Sequence, residues 1–309
     1  MTIRLGLQIP NFSYGTGVDN LFPTVIAQAE EAEAAGYDSL FVMDHFYQLP
    51  GQGPPDAPML EAYTALGALA TATQSIQLGA LVTGNTYRNP TLLAKSITTL
   101  DVVSQGRAIL GMGTGWYEFE HESLGYDFGT GAERFNKLAE ALQIIGPMLA
   151  GERPTVTGRY YRTRAAMAEP RFRNHIPMLI GGSGEKKTIP LAVNHFDHLN
   201  LIAGFDELPR KLQVVRDRCE EIGRDPSTLE TSMLVVAIID EKLTADALPV
   251  EYREHVVVGA AETIAEQINA KVLDVGVDGV ILSPATHLNG YQPGHITEIA
   301  NKLKPMLGI

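Results

Sequence analysis

The chain has 309 residues, 45% hydrophobic and 19% charged, enough apolar material for two ordinary domains or one large α/β barrel. Its 24 basic and 36 acidic residues give a net charge of −12, which argues against nucleic acid as a partner. A single cysteine, Cys219, rules out an intrachain disulfide or a cysteine metal site, and no apolar run approaches the ~18 residues of a membrane span.

The N-terminus runs straight into a strand-like segment, Ile3 to Ile9, without a basic leader, so a soluble cytoplasmic protein is expected. Pro10 stops that strand, and a glycine-rich loop follows. Asp19 can cap a helix reaching Ala35, with Val25, Ile26, Ala29 and Ala32 on one side; Gly36 ends it. Ser39 to Met43 is the second strand and ends in Asp44-His45-Phe46. Tyr47 to Pro58, with four prolines and two glycines, is a long loop of the kind that tends to be functional.

A helix over Leu60 to Thr73 precedes the third strand, Ile76 to Val82. Pro90 suits the first turn of the helix Thr91 to Ser104, which Gly106 ends. The fourth strand, Ala108 to Met112, breaks into glycines at 111, 113 and 115, then Trp116, Glu118, Glu120 and His121. Bare backbone followed by an aromatic, two acids and an imidazole suits either a strand opening into a ligand pocket or a glycine-rich turn with solvated acids.

Ala132 to Leu149 is helical, and Gly151 to His175 reads as a short hairpin and linker. The fifth strand is Pro177 to Ile180, followed by a helix over Lys187 to Asn194. The sixth is His198 to Ile202, followed by a helix over Leu208 to Ile222 that carries Cys219 as a helix-face residue. The seventh is Thr231 to Ile239, with a less regular region over Asp240 to Val258 and a helix over Ala261 to Val275. The eighth is Gly279 to Leu282, and Ile296 to Leu307 closes the chain as a helix. Eight short apolar strands, nearly all followed by helices, predict one α/β domain over residues 1–309. The predicted architecture is a (β/α)8 barrel with insertion loops at its C-terminal face. An open doubly wound sheet is the alternative, but no G-x-G-x-x-G follows the first strand.

In such a barrel the site lies at the carboxyl ends of the strands. That rule selects Asp44 and His45, Ala80, Leu81 and Thr83, Gly113 to Trp116, Gly181 to Ser183, and Asn200. His45, with a reference pKa of about 6.5, is the acid–base candidate; the competing reading is a loop histidine or one bonded to Asp44. Gly181-Gly-Ser-Gly-Glu-Lys-Lys187 is either a phosphate cradle at a helix start or a tight turn with exposed lysines. The acids and histidines show no local metal-ligand spacing, so no metal is expected.

Asp44-His-Phe, Arg88-Asn-Pro90, Gly111-x-Gly-x-Gly-Trp116 with Glu120-His121, Ile180-Gly-Gly-Ser-Gly-Glu-Lys186 and Gly276-Val-Asp-Gly-Val-Ile-Leu-Ser283 occur in that order. Together this set resembles the luciferase-like monooxygenase superfamily, and within it the actinobacterial branch that uses coenzyme F420. The resemblance implies a small-molecule oxidoreductase, normally a homodimer, passing hydride between the deazaflavin and an organic substrate. It implies an isoalloxazine-like ring over the strand ends, His45 beside it, and a non-prolyl cis peptide behind it, placed at Ala80-Leu81 with Thr83 nearby. It implies that Gly181 and Gly182 reach the cofactor phosphate through their amides, with Asp44, Gly113, Thr114, Gly115, Trp116, Ser183 and Asn200 also around the cofactor. Related dehydrogenases carry an acid where this chain has Trp116, so the acid role is moved to Glu120. An FMN-dependent monooxygenase and a non-catalytic flavin-binding barrel are the alternatives.

Overall fold

The computed structural model describes residues 3–248 and 253–309. Its strands are β1 (Leu5–Ile9), β2 (Ser39–Val42), β3 (Gln77–Ala80), β4 (Thr83–Gly84), β5 (Ala108–Gly113), β6 (Met178–Gly181), β7 (His198–Leu201), β8 (Glu230–Ile239), β9 (Val256–Gly259) and β10 (Gly279–Pro284). Among the described residues all their pairings are parallel, in the order β10-β1-β2-β3-β5-β6-β7-β8, and β10 also pairs with β8. That last pairing closes the sheet into the eight-stranded barrel and removes the open-sheet alternative. Strand β9 lies outside the ring, against the far end of β8; it falls in the region expected to be less regular, whose residues 249–252 lie outside the described residues.

The helices are α1 (Val18–Ala35), α2 (Ala62–Ala72), α3 (Pro90–Val103), α4 (Glu118–Leu124), α5 (Gly131–Leu149), α6 (Thr188–His195), α7 (Leu208–Ile222), α8 (Ala261–Ile268), α9 (Thr286–Asn289) and α10 (His295–Leu307). Local chemistry sets their ends. Glu61 caps α2 by accepting from the Tyr63 and Thr64 amides; Asn89 caps α3 with Pro90 in its first turn; Thr130 and Glu133 form a capping box on α5. Gly17 rather than Asp19 occupies the cap of α1, and α8 gives way at Asn269–Leu273 to a π-helical turn. The long segment after α5 carries an antiparallel bridge, Thr157 to Arg162, the short hairpin expected there. Among the described residues no helix is long and apolar enough to cross a membrane.

Strand alternation sorts the side chains into two cores. Leu5, Leu7, Leu40, Val42, Leu110, Ile180, Leu199 and Val235 face outward into the shell between sheet and helices. Cys219 packs in the same shell, fully buried. Ile3, Phe41, Leu81, Ile109, Leu179 and Ile281 fill the barrel interior. Further along the strands the inward positions include buried Gln8 and Asn200, and Gly111, Gly113 and Gly181, which carry no side chain.

Candidate active site

The end of the third strand shapes the barrel mouth. Between Gly79 and Thr83 the chain advances four residues while its partner β5 advances three, from Ile109 to Met112. The extra residue makes a bulge. Within it the Leu81–Val82 peptide is cis. The expectation had put the cis bond at Ala80-Leu81. Ala80 is still in register with Val42, and the Leu81 amide still donates to the Val42 carbonyl at 2.9 Å, so the ladder runs one residue further before it breaks.

The bulge turns Val82 toward the inward glycines. A methyl group on Gly113 would lie 2.6 Å from Val82 Cγ2, and one on Gly181 would lie 3.0 Å from Val82 Cγ1; one on Gly111 would lie 2.1 Å from the Ala80 carbonyl oxygen. The alternating glycines of β5 are thus required by the bulge, a role that sequence reasoning missed. Val82 reads from the sequence only as the end of the third strand, because nothing in a run of apolar residues marks where a register slip will fall.

Behind the bulge, Asp44 is buried and holds Arg88. Arg88 Nε donates to Asp44 Oδ2 at 3.0 Å and Nη2 to Oδ1 at 2.5 Å, while the Gly84 amide adds a bond of 3.1 Å to Oδ2. Arg88 also donates to Glu61 and lies 4.5 Å over the Tyr63 ring. Tyr63 in turn shares a 2.8 Å hydrogen bond with the buried Thr83 hydroxyl. Both Asp44 and Thr83, expected around a cofactor, spend their side chains fixing the strand ends.

His45 begins the loop after β2. Its Nδ1 donates to Glu120 Oε2 at 2.9 Å. Glu120 is 0% exposed and accepts three further bonds: from the Tyr87 hydroxyl, the Phe46 amide and the Tyr47 amide. Burial pushes the Glu120 carboxyl up, but the bonds from His45 and Tyr87 outweigh it and hold it below the ordinary glutamate range. It is brought there by α4, whose acidic first turn suits a helix start and which Gly125 ends in the left-handed conformation. The glycine-rich connection before it reads equally well as a loop, and its acids as solvated; the short helix turns Glu120 inward and leaves Glu118 outside.

Next to Glu120, His121 is also buried. Its Nδ1 donates to the Tyr117 carbonyl at 2.7 Å, and its Nε2 accepts from the Thr86 hydroxyl at 2.7 Å. Burial lowers its pKa. Tyr87, whose hydroxyl bonds Glu120, was missed although it immediately precedes the noted Arg88-Asn-Pro90. Burial, with Glu120 beside it, pushes its own ionisation far above the usual tyrosine range. Trp116 meets the His45 ring edge-on, 5.8 Å between centroids, and is 58% exposed, so the imidazole is sheltered on one side by a rim aromatic. His45 Nε2 has no protein partner among the described residues.

Across the mouth, Gly181 is in register with Asn200. The Gly182 amide donates to the Asn200 carbonyl at 2.9 Å, so it is not free for a phosphate as expected. The amides that follow, Ser183 to Thr188, find no protein acceptor among the described residues; they line the turn into α6. Ser183 Oγ donates to the Ile202 carbonyl, and Asn200 Nδ2 donates to Ser232 Oγ at 2.9 Å while its Oδ1 is buried without a partner. Arg134 holds the turn at Gly115 by donating to its carbonyl at 3.1 Å; Thr114 and Gly115 therefore carry backbone toward the site rather than reactive groups. His45, the bulge and the Gly181 turn thus stand at one end of the barrel, as the sequence required. No group of three or more metal-ligating side chains occurs among the described residues.

The family model for luciferase-like monooxygenases matches residues 3–248. An F420-dependent glucose-6-phosphate dehydrogenase of Nakamurella multipartita is 33% identical over 72% of this chain and 66% of its own length. Another with that name, from Microbacterium testaceum, is 37% identical over 51% of this chain and 46% of its own. An F420-dependent hydroxymycolic acid dehydrogenase of Mycobacterium tuberculosis is 30% identical over 72% of this chain and 61% of its own. This chain therefore spans about half to two thirds of the length of these relatives. Among solved structures, an F420-dependent secondary alcohol dehydrogenase superposes with a TM-score of 0.83 over 99% of both chains at 20% identity. An EDTA monooxygenase superposes with 0.80 over 100% of this chain and 94% of that one at 13%. On its fold, its strand-end site and the match over most of its length, the chain belongs to the luciferase-like monooxygenase family.

Proposed function

We propose that this chain is an F420-dependent oxidoreductase that moves a hydride between the deazaflavin and a small organic substrate. The observation that carries the reading is the His45–Glu120 pair, which fixes the imidazole's proton on Nδ1 and leaves Nε2 without a protein partner at the barrel mouth. The names of the sequence relatives supply the cofactor's identity. The chain's own residues fit it. The run of amides from Ser183 to Thr188 is a cradle for the phosphate, Lys186 and Lys187 add charge, and Asn200 Oδ1 is a buried acceptor in want of a donor. Val82 on the bulge packs over the bare positions Gly113 and Gly181, at the strand ends where the ring would lie.

When bound, F420 supplies two-electron hydride chemistry. The chain supplies the proton's path. As an alcohol carbon gives up hydride, its hydroxyl proton passes to His45 Nε2; in the reverse direction Nε2 returns it to the carbonyl oxygen. Glu120, charged and buried, meets the positive charge that appears on the imidazole. With all four of its bonds directed at protein donors, it is a positioning residue that acts through His45 rather than on the substrate.

The test is a fluorescence titration of the purified protein with F420 and with FMN, followed by turnover in wild type and His45→Ala. Preferential F420 binding and loss of turnover in a variant that still binds it support the reading. Tight FMN binding with oxygen-dependent turnover would instead establish the monooxygenase alternative.

A further inference from the structure

A cavity of about 430 Å³ lies at the carboxyl ends of β8 and β10, within the size range of small-molecule sites. Its walls are Val236, Ile238, Leu248, Val256, Pro284 and Leu288. The loop that begins at His45 covers part of it with Pro50, Gly51 and Gln52. It is therefore a second compartment of the same mouth, joined to the acid–base side by one short piece of chain.

The chemistry of this compartment is selective. No lysine or arginine lines it among the described residues. Arg253, close in sequence, is committed elsewhere: it donates to the Leu248 and Asp246 carbonyls at 2.9 and 2.7 Å. The polar side chains on the lining are Gln52, His255, Ser283 and His287. His255 Nδ1 bonds the Ala203 carbonyl, whereas Gln52 Oε1 and His287 Nδ1 are buried and have no partner. An isolated phosphate or carboxylate entering here would lose its water without gaining a counter-charge, which is prohibitive. An alkyl chain gains from burial, and one hydroxyl or amide N–H can donate to Gln52 Oε1, while His287 Nδ1 can pair with a hydroxyl.

We infer that this cavity receives the non-reacting part of an uncharged, mainly aliphatic alcohol or ketone, and that phosphorylated sugars are not substrates. The inference rests on the oxidoreductase reading above for the identity of the reacting group, but the cavity's selectivity is testable without it. Saturation-transfer NMR on the full chain, with 2-octanol and glucose 6-phosphate as probes, reads binding directly. Ile238→Trp fills the cavity from within, and Leu288→Glu places a charge at its partly exposed rim with little risk to folding.

The expected result is that 2-octanol binds, and that Ile238→Trp weakens it at least tenfold and Leu288→Glu several-fold. F420 fluorescence titrations of both variants should match wild type, and glucose 6-phosphate should give no signal. Binding of glucose 6-phosphate, binding of neither probe, or equal 2-octanol affinity in all three proteins overturns the inference. Variant-sensitive 2-octanol binding by a protein that ignores F420 would overturn the cofactor reading and leave the cavity assignment standing.

Discussion

The two sides of the barrel mouth follow opposite rules. On the side of β2 and β5 the buried ionisable groups are matched, Asp44 to Arg88 and Gly84, Glu120 to four donors, His121 to Tyr117 and Thr86, while the side-chain amides of Gln48 and Asn85 each keep one buried atom without a partner. On the side of β8 and β10 the lining is apolar, and two buried polar atoms, on Gln52 and His287, have no partner. A proton carrier has to be held in one orientation before the reaction starts, so its surroundings are saturated. A recognition surface has to leave its bonding capacity unspent until a ligand arrives. On the reading proposed above, the difference would place chemistry on one side and selectivity on the other.

The sharpest way to break that division is His45→Ala. It should lower kcat by about 10³-fold, the scale of a lost general acid–base, while F420 affinity stays within a few-fold; stopped-flow reduction and a binding titration read the two separately. Next comes Glu120→Gln, which confronts the Phe46 and Tyr47 amides with an amide group. A loss of about 2–4 kcal/mol in denaturant unfolding is expected, with a smaller fall in kcat than His45→Ala gives. The acid branch should change too. Glu120 has a depressed folded-state pKa, so its stabilisation is present above the unfolded value of about 4.3 and lost as pH falls through the folded one. Wild-type stability should drop across that acid window, and the variant's curve should be flatter; identical curves would remove Glu120 from the network.

Gly113→Ala should cost about 1–3 kcal/mol by overpacking against Val82. A double variant with Val82→Ala should recover part of that loss, which would tie the glycine to the bulge rather than to a ligand. The smallest effect belongs to Trp116→Phe. With the indole largely exposed, stability should move by no more than about 0.5 kcal/mol. A larger loss would mean that the rim aromatic belongs to the saturated side after all.

Much of this was legible in the sequence because it is periodic. The eight barrel strands stand within a residue or two of their expected positions, and helix α7 has the expected ends, because apolar runs and glycine stops are strong local signals. The strand-end rule then picked out His45 and the Gly181 turn. What stayed hidden depends on contacts distant in sequence. Helix α4 has seven residues, too short for a periodic signal, yet it decides that Glu120 is buried and Glu118 is not. Val82 and the one-residue shift of the cis bond follow from how β3 and β5 keep register, and no single residue type encodes that. Gly182 showed the limit of reading a glycine as a free amide, since its donor is spent on the neighbouring strand.

The segment from His45 to Gln52 has one end in each compartment. That strap carries the His45 imidazole at one end and, at Gln52, part of the cavity lining at the other. Shortening or lengthening that strap by even one residue would re-aim both at once. Redesign of what this protein accepts is therefore better begun on the opposite wall, at Val236, Ile238 and Val256, which lie outside that strap.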